Sequence, residues 1–246
     1  MIIQRGMTSI RVLGVRVDAV DPESALRRIE ELVAGGGRHL VATVNPEFIM
    51  RARDDPAFQA VLDSASLCLP DGWGVTWAAR RQGHPLPGRV PGIDLIPPLA
   101  ARAARLGWRL FLLGAAPGVA EAAAERLRAE FPGLVITGCH AGEAGPEGDD
   151  ESLRLIAAAG ADIVLVAYGA PRQELWIARN LARLPAGVGI GVGGAFDFLS
   201  GRVRRAPGWM RGVGLEWLFR LAVQPWRVRR MVVLPRFAFE VLRTRA

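Results

Sequence analysis

The chain has 246 residues, half of them hydrophobic, and carries a net charge of +7. No stretch of about 18 uncharged apolar residues occurs, so a transmembrane helix is not expected. Two cysteines, Cys68 and Cys139, stand far apart and outside any CxxC or Cys/His grouping, which argues against a disulfide framework and structural zinc. The amino terminus lacks the apolar segment and cleavage site of a secretory signal, so we expect a cytosolic protein.

Apolar periodicity predicts alternating strands and helices along the first 200 residues. Helix starts are marked by Asp21-Pro-Glu-Ser and by the prolines at 46 and 56, and Gly35-Gly-Gly ends the first helix. In chain order we expect a strand at 10–17, a helix from 21 to 35, a strand at 39–44, helices at 47–53 and 56–64, strands at 67–69 and 108–113, a helix at 119–130, a strand at 134–138, a helix at 151–159, a strand at 161–167, a helix at 173–184 and a strand at 188–192.

This alternation predicts the α/β class, with a Rossmann-like, mostly parallel sheet covered by helices on both faces. In such sheets, ligands bind beyond the carboxyl ends of the strands. That rule selects the loops at 43–45, 71–74, 114–118, 169–173 and 193–197 as candidate parts of a functional site.

The last 45 residues differ in composition from the rest of the chain. Residues 202–246 hold 11 arginines and two acids, whereas residues 1–201 hold 20 arginines and 22 acids. Six Trp and Phe residues are interleaved with those arginines. Such a segment suits an anionic surface that also offers an apolar layer, as a membrane face does. We therefore expect a catalytic domain at 1–201 and a basic, helical, membrane-associating appendage at 202–246; a core helix hairpin or an oligomer interface is the alternative.

Two polar residues end predicted strands in the first half of the chain. Asp71, between Pro70 and Gly72, offers a carboxylate that can accept a proton from an alcohol nucleophile, a role worth about 10²- to 10⁴-fold in rate. An Asx-turn that caps the next helix is the structural alternative. Asn45 precedes a proline, which holds it extended and directs its amide toward a cleft, and a helix N-cap is the alternative here.

Two further segments could bind an anion. After the strand at 161–167, Pro171 suits a first helical turn, so the N–H groups of 172–174 could bind an anion beside the Gln173 amide. An ordinary helix start explains the same residues. Arg89 lies in a Pro/Gly-rich segment that would hold its guanidinium in place for a phosphate, although an ordinary surface arginine is an equal alternative.

The glycines at 189, 191 and 194 match the dinucleotide fingerprint in letters only. No long helix and no returning βαβ unit follows them, so a nicotinamide cofactor is not expected. A glycine-lined approach to a nucleotide, with Asp197 accepting from a ribose or base, fits better. The three histidines fall into no ligand pattern, and we expect neither a metal nor another cofactor.

An ordered set of motifs between about Val12 and Arg236 resembles the WecG/TagA/CpsF family of bacterial glycosyltransferases. Each motif is weak alone, but the set is highly specific. The motifs are Thr43-x-Asn45-Pro, Pro70-Asp71-Gly72, Arg89-Val-Pro-Gly92, Phe111-Leu-Leu-Gly114, Gly169-x-Pro-Arg-Gln173-Glu174, Gly191-Val-Gly-Gly-Ala-Phe-Asp197, Arg205-Ala-Pro207 and Gly214-Leu-Glu216-Trp217-x-x-Arg220-x-x-x-x-Pro225-x-Arg227-x-x-Arg230.

The resemblance implies an inverting, metal-independent transferase at the cytoplasmic membrane face. It would move N-acetylmannosamine, its uronic acid or glucose from a UDP-sugar onto a polyprenyl-diphosphate-linked sugar, in the synthesis of a cell-surface polysaccharide. By position, Asp71 matches the proposed catalytic base and Asp197 a contact to the nucleoside. Positions in the substrate pocket are matched by Thr43, Asn45, Arg89 and Gln173, and tail arginines that close over the diphosphates are matched by Arg220, Arg227 and Arg230.

Two departures from the family pattern bear on sugar preference. The loop at 140–148 lacks an aromatic that members often carry, and Tyr168 stands where a smaller or aliphatic residue is usual. Rivals from other classes are a nicotinamide oxidoreductase and a non-catalytic nucleotide- or nucleic-acid-binding module with a basic aromatic tail. The binding module would leave the loops at Asp71, Gln173 and Asp197 unexplained, so no nucleic-acid partner is expected. The sequence is also compatible with a homo-oligomer.

Overall fold

The structure, a computed structural model, describes residues 8–212, 214–223 and 228–244, without the side chains of Arg220, Arg229 and Arg230. An antiparallel hairpin of β1 (Ser9–Val12) and β2 (Val15–Asp18) precedes a six-stranded parallel sheet. That sheet comprises β3 (His39–Val44), β4 (Leu67–Pro70), β5 (Arg109–Gly114), β6 (Val135–His140), β7 (Ile163–Ala167) and β8 (Val188–Gly191), in the order β4-β3-β8-β7-β5-β6.

Helices connect the strands and cover the sheet. Between β2 and β8 lie α1 (Pro22–Ala34), α2 (Pro46–Asp54), α3 (Pro56–Ser64), α4 (Trp73–Arg81), α5 (Gly92–Leu106), α6 (Val119–Glu130), α7 (Asp149–Ala159) and α8 (Arg172–Asn180). After β8 follow α9 (Ala195–Leu199), α10 (Gly208–Gly212), α11 (Glu216–Val223), α12 (Val228–Met231) and α13 (Val233–Arg243). None of these described helices has the length and apolarity to cross a bilayer.

The sheet is buried on both faces, so the strands are apolar almost throughout. Val164 packs into the core on one face, and its neighbour Leu165 packs into the core on the other. Each fully buried side chain of this kind stabilises the fold by about 1.5–3 kcal/mol relative to exposure. This two-sided burial is the reason why a parallel sheet reads as continuous apolar runs.

The predicted α/β class with a parallel sheet is confirmed, and three local details differ. The single strand expected at 10–17 is a hairpin, because Leu13 (φ 48°) and Gly14 (φ 92°) turn the chain within it. The helices α4 and α5 were not predicted. Two prolines inside α5, Pro97 and Pro98, interrupt the apolar periodicity that marks a helix.

The last helix packs on the body of the protein. Phe237 and Val241 of α13 are 2% exposed and join the core on the face that includes α2 and α4. Beside them, the Arg236 guanidinium donates to both carboxylate oxygens of Asp54, at 2.7 and 2.9 Å. The end of the chain is thus held by apolar burial and by an ion pair at its rim.

Candidate active site

A cavity of about 220 Å³ lies beyond the carboxyl ends of β3, β4, β7 and β8. The loops that follow these strands contribute Asn45, Asp71, Gly169 and Gly193 to its lining. The C-terminal region covers it, with Gly214, Glu216 and Trp217 in the lining. We refer to this cavity, with its cover, as the roofed cleft. Four of the five loops selected by the strand-end rule contribute to its lining, and the loop at 114–118 does not.

Asp71 lies in the wall of the roofed cleft, partly buried, directly after β4. Its backbone N–H donates to the carbonyl of Val44 at 2.8 Å, which ties the ends of β3 and β4 together. The next residue, Gly72, has a φ of 95° and is the N-cap of α4. A positive φ at Gly72 lets the chain turn sharply into α4, and this turn leaves Asp71 in the cleft wall.

Asn45 and Thr43 both line the roofed cleft and both have structural duties. The Asn45 side-chain oxygen accepts from the Phe48 N–H at 3.1 Å, so the residue is the N-cap of α2. The Thr43 hydroxyl donates to the carbonyl of Gly191 at 3.0 Å and thereby links β3 to β8. The helix N-cap alternative for Asn45 is therefore correct, and it coexists with a place at the cleft.

Gln173 is 1% exposed and joins two loops of the roofed cleft. Its side-chain oxygen accepts the backbone N–H of Gly169 at 3.1 Å and that of Gly193 at 2.9 Å. Its side-chain nitrogen donates to Glu174 Oε1 at 2.6 Å. Glu174 is fully buried, and this burial raises the pKa of its carboxyl to about 8, although the hydrogen bond from Gln173 lowers it.

Arginines connect the roof to the body. Arg89 lines the roofed cleft, and its Nη2 donates to the carbonyl of Arg211 at 3.3 Å. Arg205 donates to both oxygens of Asp94, at 2.5 and 2.8 Å, and to Glu216 at 3.2 Å. Burial lowers the pKa of Arg205, but these two carboxylates outweigh it and raise the pKa above its usual value. The roof is thus fixed by charge-assisted hydrogen bonds.

The structure does not describe the side chains of the three tail arginines that are predicted to contact the substrate. Arg227 lies outside the described residues, and so do the side chains of Arg220 and Arg230. The backbone of Arg220 belongs to α11, whose first residues, Glu216 and Trp217, line the roofed cleft. The predicted role of these three arginines stays a prediction.

A second, wider cleft lies beyond β5, β6 and β7, and we call it the open cleft. Its volume is about 740 Å³, and Ala116, Gly142, Tyr168 and Arg172 are in its lining. The Tyr168 ring is mostly buried and meets the edge of Trp176, with ring centroids 6.1 Å apart. Burial raises the pKa of Tyr168 to about 12, so its hydroxyl keeps its proton at neutral pH.

Asp197 lies in neither cleft lining. It is on α9, which packs against α6 and α5. The helix after Gly194 has only five residues, which agrees with the interpretation that the three glycines are no dinucleotide fingerprint. Contact between Asp197 and a nucleoside stays a prediction.

Several lining residues were not singled out from the sequence. Glu47 and Trp73 are two of them; Trp217 also lines the roofed cleft, and the sequence placed it in a family motif without a role at the site. Glu47 and Trp73 directly follow the motifs around Asn45-Pro46 and Asp71-Gly72, and this adjacency could have found them. Within the described residues, no group of three or more His, Cys, Asp or Glu could hold a metal ion.

A cleft at the carboxyl edge of a parallel sheet, with Asp71 and Arg89 in its lining, lies where α/β enzymes bind their ligands. Residues 10–246 match the Glycosyl transferase WecG/TagA/CpsF family. The chain belongs to this family of glycosyltransferases.

Two relatives are named N-acetylglucosaminyldiphosphoundecaprenol N-acetyl-beta-D-mannosaminyltransferase. The protein from Bacillus spizizenii (strain ATCC 23059 / NRRL B-14472 / W23) is 39% identical over 203 residues, which is 82% of this chain and 78% of the relative. The protein from Bacillus subtilis (strain 168) is 38% identical over 206 residues, or 83% of this chain and 79% of the relative.

Proposed function

We propose that this chain transfers a sugar from a UDP-sugar to a polyprenyl-diphosphate-linked sugar, with inversion and without a metal. The names of the two relatives favour N-acetylmannosamine among the three sugars expected from the sequence. The observation that supports the proposal most directly is the place of Asp71, a carboxylate in the wall of a cleft that also contains Arg89 and the Gln173 loops.

In the proposed reaction, Asp71 is the general base. Its carboxylate takes the proton from the acceptor hydroxyl as that oxygen forms a bond to the anomeric carbon of the donor sugar. The bond from this carbon to the UDP oxygen breaks on the opposite face, and its electron pair leaves with UDP. The configuration at the anomeric carbon therefore inverts.

The departing UDP requires positive charge and hydrogen-bond donors. Arg89 lines the roofed cleft and brings one guanidinium group to it. In the proposed mechanism, Arg220, Arg227 and Arg230 of the tail would supply further positive charge. The anion site expected from the N–H groups of 172–174 is not among these donors, because the Gln173 N–H donates to the Gly169 carbonyl at 3.1 Å and Arg172 lines the open cleft. Donors that are already in place when negative charge develops stabilise the transition state more than water can.

The acceptor lipid requires that the cleft open toward a membrane, and we propose the cytoplasmic face. Trp73 and Trp217 line the roofed cleft and are 46% and 41% exposed. Indole rings with one apolar and one polar side favour the membrane–water interface. With the basic residues of 202–246, they would place the opening of the cleft against an anionic bilayer surface.

The full chain should be assayed with a panel of UDP-sugars and a short-chain polyprenyl-diphosphate N-acetylglucosamine, with UDP release as the readout. We expect release with UDP-N-acetylmannosamine, undiminished by excess chelator, and a product of inverted configuration by NMR. Release that depends on an added divalent metal would overturn the metal-independent mechanism. An absence of turnover with every donor would overturn the function.

A further inference from the structure

A buried side-chain pair lies behind the loops of the roofed cleft. Glu174 is fully buried, its Oε1 accepts from Gln173, and its Oε2 is buried with no hydrogen-bond partner in the described part of the chain. Gln173 in turn accepts the N–H groups of Gly169 and Gly193. The carboxyl group is therefore connected to both loops through one amide.

The backbone at Gly191 makes room for this pair. A Cβ at that position would collide with Glu174 Oε1 and would lie 2.6 Å from Gln173 Nε2. The carbonyl of Gly191 accepts the Thr43 hydroxyl at 3.0 Å. The pair thus occupies the space that a side chain at Gly191 would fill, at the end of β8 where the Thr43 hydroxyl links β3 to β8.

We propose that Glu174 is a positioning residue, which fixes the Gln173 amide and through it the separation of the Gly169 and Gly193 loops that line the roofed cleft. The oxygen of a free glutamine side chain can rotate among several partners. The hydrogen bond from its nitrogen to Glu174 selects the one orientation in which its oxygen faces both backbone N–H groups. The role in sugar transfer rests on the proposed function, but the positioning itself does not.

The surroundings of Glu174 indicate that its carboxyl is uncharged at neutral pH. Burial raises its pKa from 4.5 to about 8, and no charged group contributes to the shift. The other titratable or charged side chains on or beside α8 have partners of their own or face solvent. Asp63 pairs with Arg11, Arg179 with Asp149 and Arg183 with Asp150. His39 forms hydrogen bonds with Ser66 and Gly36, and Arg172 is exposed. On the cleft side, Glu47 and Asp71 share the cavity lining with Gln173.

The direction of the pH effect follows from the raised pKa. In the unfolded chain Glu174 ionises near 4.5, whereas in the folded chain it keeps its proton up to about 8. Folding stability from this group is therefore complete below 4.5 and is lost as the pH rises through 8. Above 8, a negative charge is buried with one oxygen unpartnered, and we expect the two loops to rearrange around it.

The amide resonances of Gly169 and Gly193 test the proposal without any substrate. In the wild-type protein we expect both to shift together with pH, with a midpoint near 8. Glu174→Gln keeps an acceptor for Gln173 but cannot ionise, so the transition should disappear while the neutral-pH positions stay the same. Glu125→Gln, at an exposed site on α6, is the matched control and should behave as wild type.

Turnover provides the second readout. Glu174→Leu removes the acceptor for Gln173, and we expect kcat/KM to fall about tenfold at pH 7, with Glu174→Gln close to wild type. The wild-type kcat/KM should decline above pH 8 relative to Glu174→Gln. The proposal is overturned if Glu174→Leu leaves both the two glycine amide resonances and kcat/KM as in wild type, or if Glu174→Gln titrates like wild type. Wild-type protein that turns over no donor would refute the function and leave the NMR result to decide on positioning.

Discussion

Among the described residues up to 201, three large apolar side chains are exposed, whereas the much shorter described stretch from 208 to 244 exposes eight. Those of the body are Trp73, Leu106 and Val135, and those of the C-terminal helices are Trp209, Trp217, Leu218, Val223, Val228, Val232, Phe239 and Leu242. Exposed apolar side chains are normal when scattered and informative when concentrated in one region. The concentration supports the proposal that the C-terminal helices meet a membrane surface.

The helix α13 shows the contrast within one element. Phe237 is 2% exposed and lies in the core, whereas Phe239, two residues on, is 61% exposed. The same helix therefore holds the tail to the body with one face and offers apolar surface with the other. Deleting the tail would remove Phe237 and Val241 together with the exposed side chains, so point substitutions separate the two roles better.

The largest expected effect is a loss of turnover without a loss of vesicle binding, and it would show that catalysis depends on the body rather than on the tail. Asp71→Asn should lower turnover by about 10²- to 10⁴-fold, because the amide cannot take the acceptor proton. Binding to anionic vesicles should not change, since Asp71 lies in a cleft wall of the body and outside the C-terminal helices. UDP release with a water-soluble acceptor measures the loss, and undiminished turnover would refute the base assignment.

Phe237→Ala tests the docked face of α13. Truncating a fully buried phenylalanine costs about 3–5 kcal/mol, through lost burial and the cavity left behind. Denaturant unfolding should show this loss. Phe239→Ala on the same helix is the matched control and should stay within about 0.5 kcal/mol of wild type. Equal losses for the two variants would contradict the two-faced description.

The exposed face of α13 can be tested with Phe239→Ala combined with Leu242→Ala. We expect vesicle binding to weaken at least about tenfold, because each exposed side chain would bury apolar surface worth up to about 1.5–3 kcal/mol in the bilayer. Turnover of a water-soluble acceptor should be unchanged. Leu106→Ala, at an exposed site on the body, is the control for the sedimentation assay. Wild-type binding by the double variant would count against the membrane role of this face.

The smallest expected effect concerns single charges. Arg243→Ala should weaken binding to anionic vesicles about fivefold, from about 1 kcal/mol per basic residue, and leave neutral vesicles unaffected. The difference should vanish at high salt, where such attractions are screened. Arg105→Ala, an exposed arginine of the body, should bind as wild type. If the two variants lose affinity alike, the tail has no special part in the attraction.

The sequence predicted what depends on local pattern and on a general rule of sheet geometry. Alternating apolar periodicity predicted the strands of the parallel sheet and most of its helices, and the strand-end rule selected the loops that carry Asn45, Asp71 and Gln173. The N-cap role of Asn45 was one of two alternatives left open, because Asn before proline and a helix is a local signal that also suits a place at a cleft.

What the sequence could not predict depends on packing between distant residues. The amide of Gln173 binds Gly193 across 20 positions, and the room for Glu174 depends on a glycine in another strand. The two prolines inside α5 interrupted the pattern that predicts a helix, although the apolar residues of α5 pack in the core on one face of the sheet. Likewise, helical spacing places Phe237 and Phe239 on different faces of α13, but only the position of α13 on the body shows which face is buried.

The roof of the cleft is formed by residues that are synthesised after those of its walls. Arg89 meets the carbonyl of Arg211 across 122 positions of the chain, and Glu216 and Trp217 complete the enclosure. During translation, Asp71 is therefore synthesised long before the groups that cover it. A growing polypeptide therefore has no enclosed cleft until residues 211–217 have been added to it.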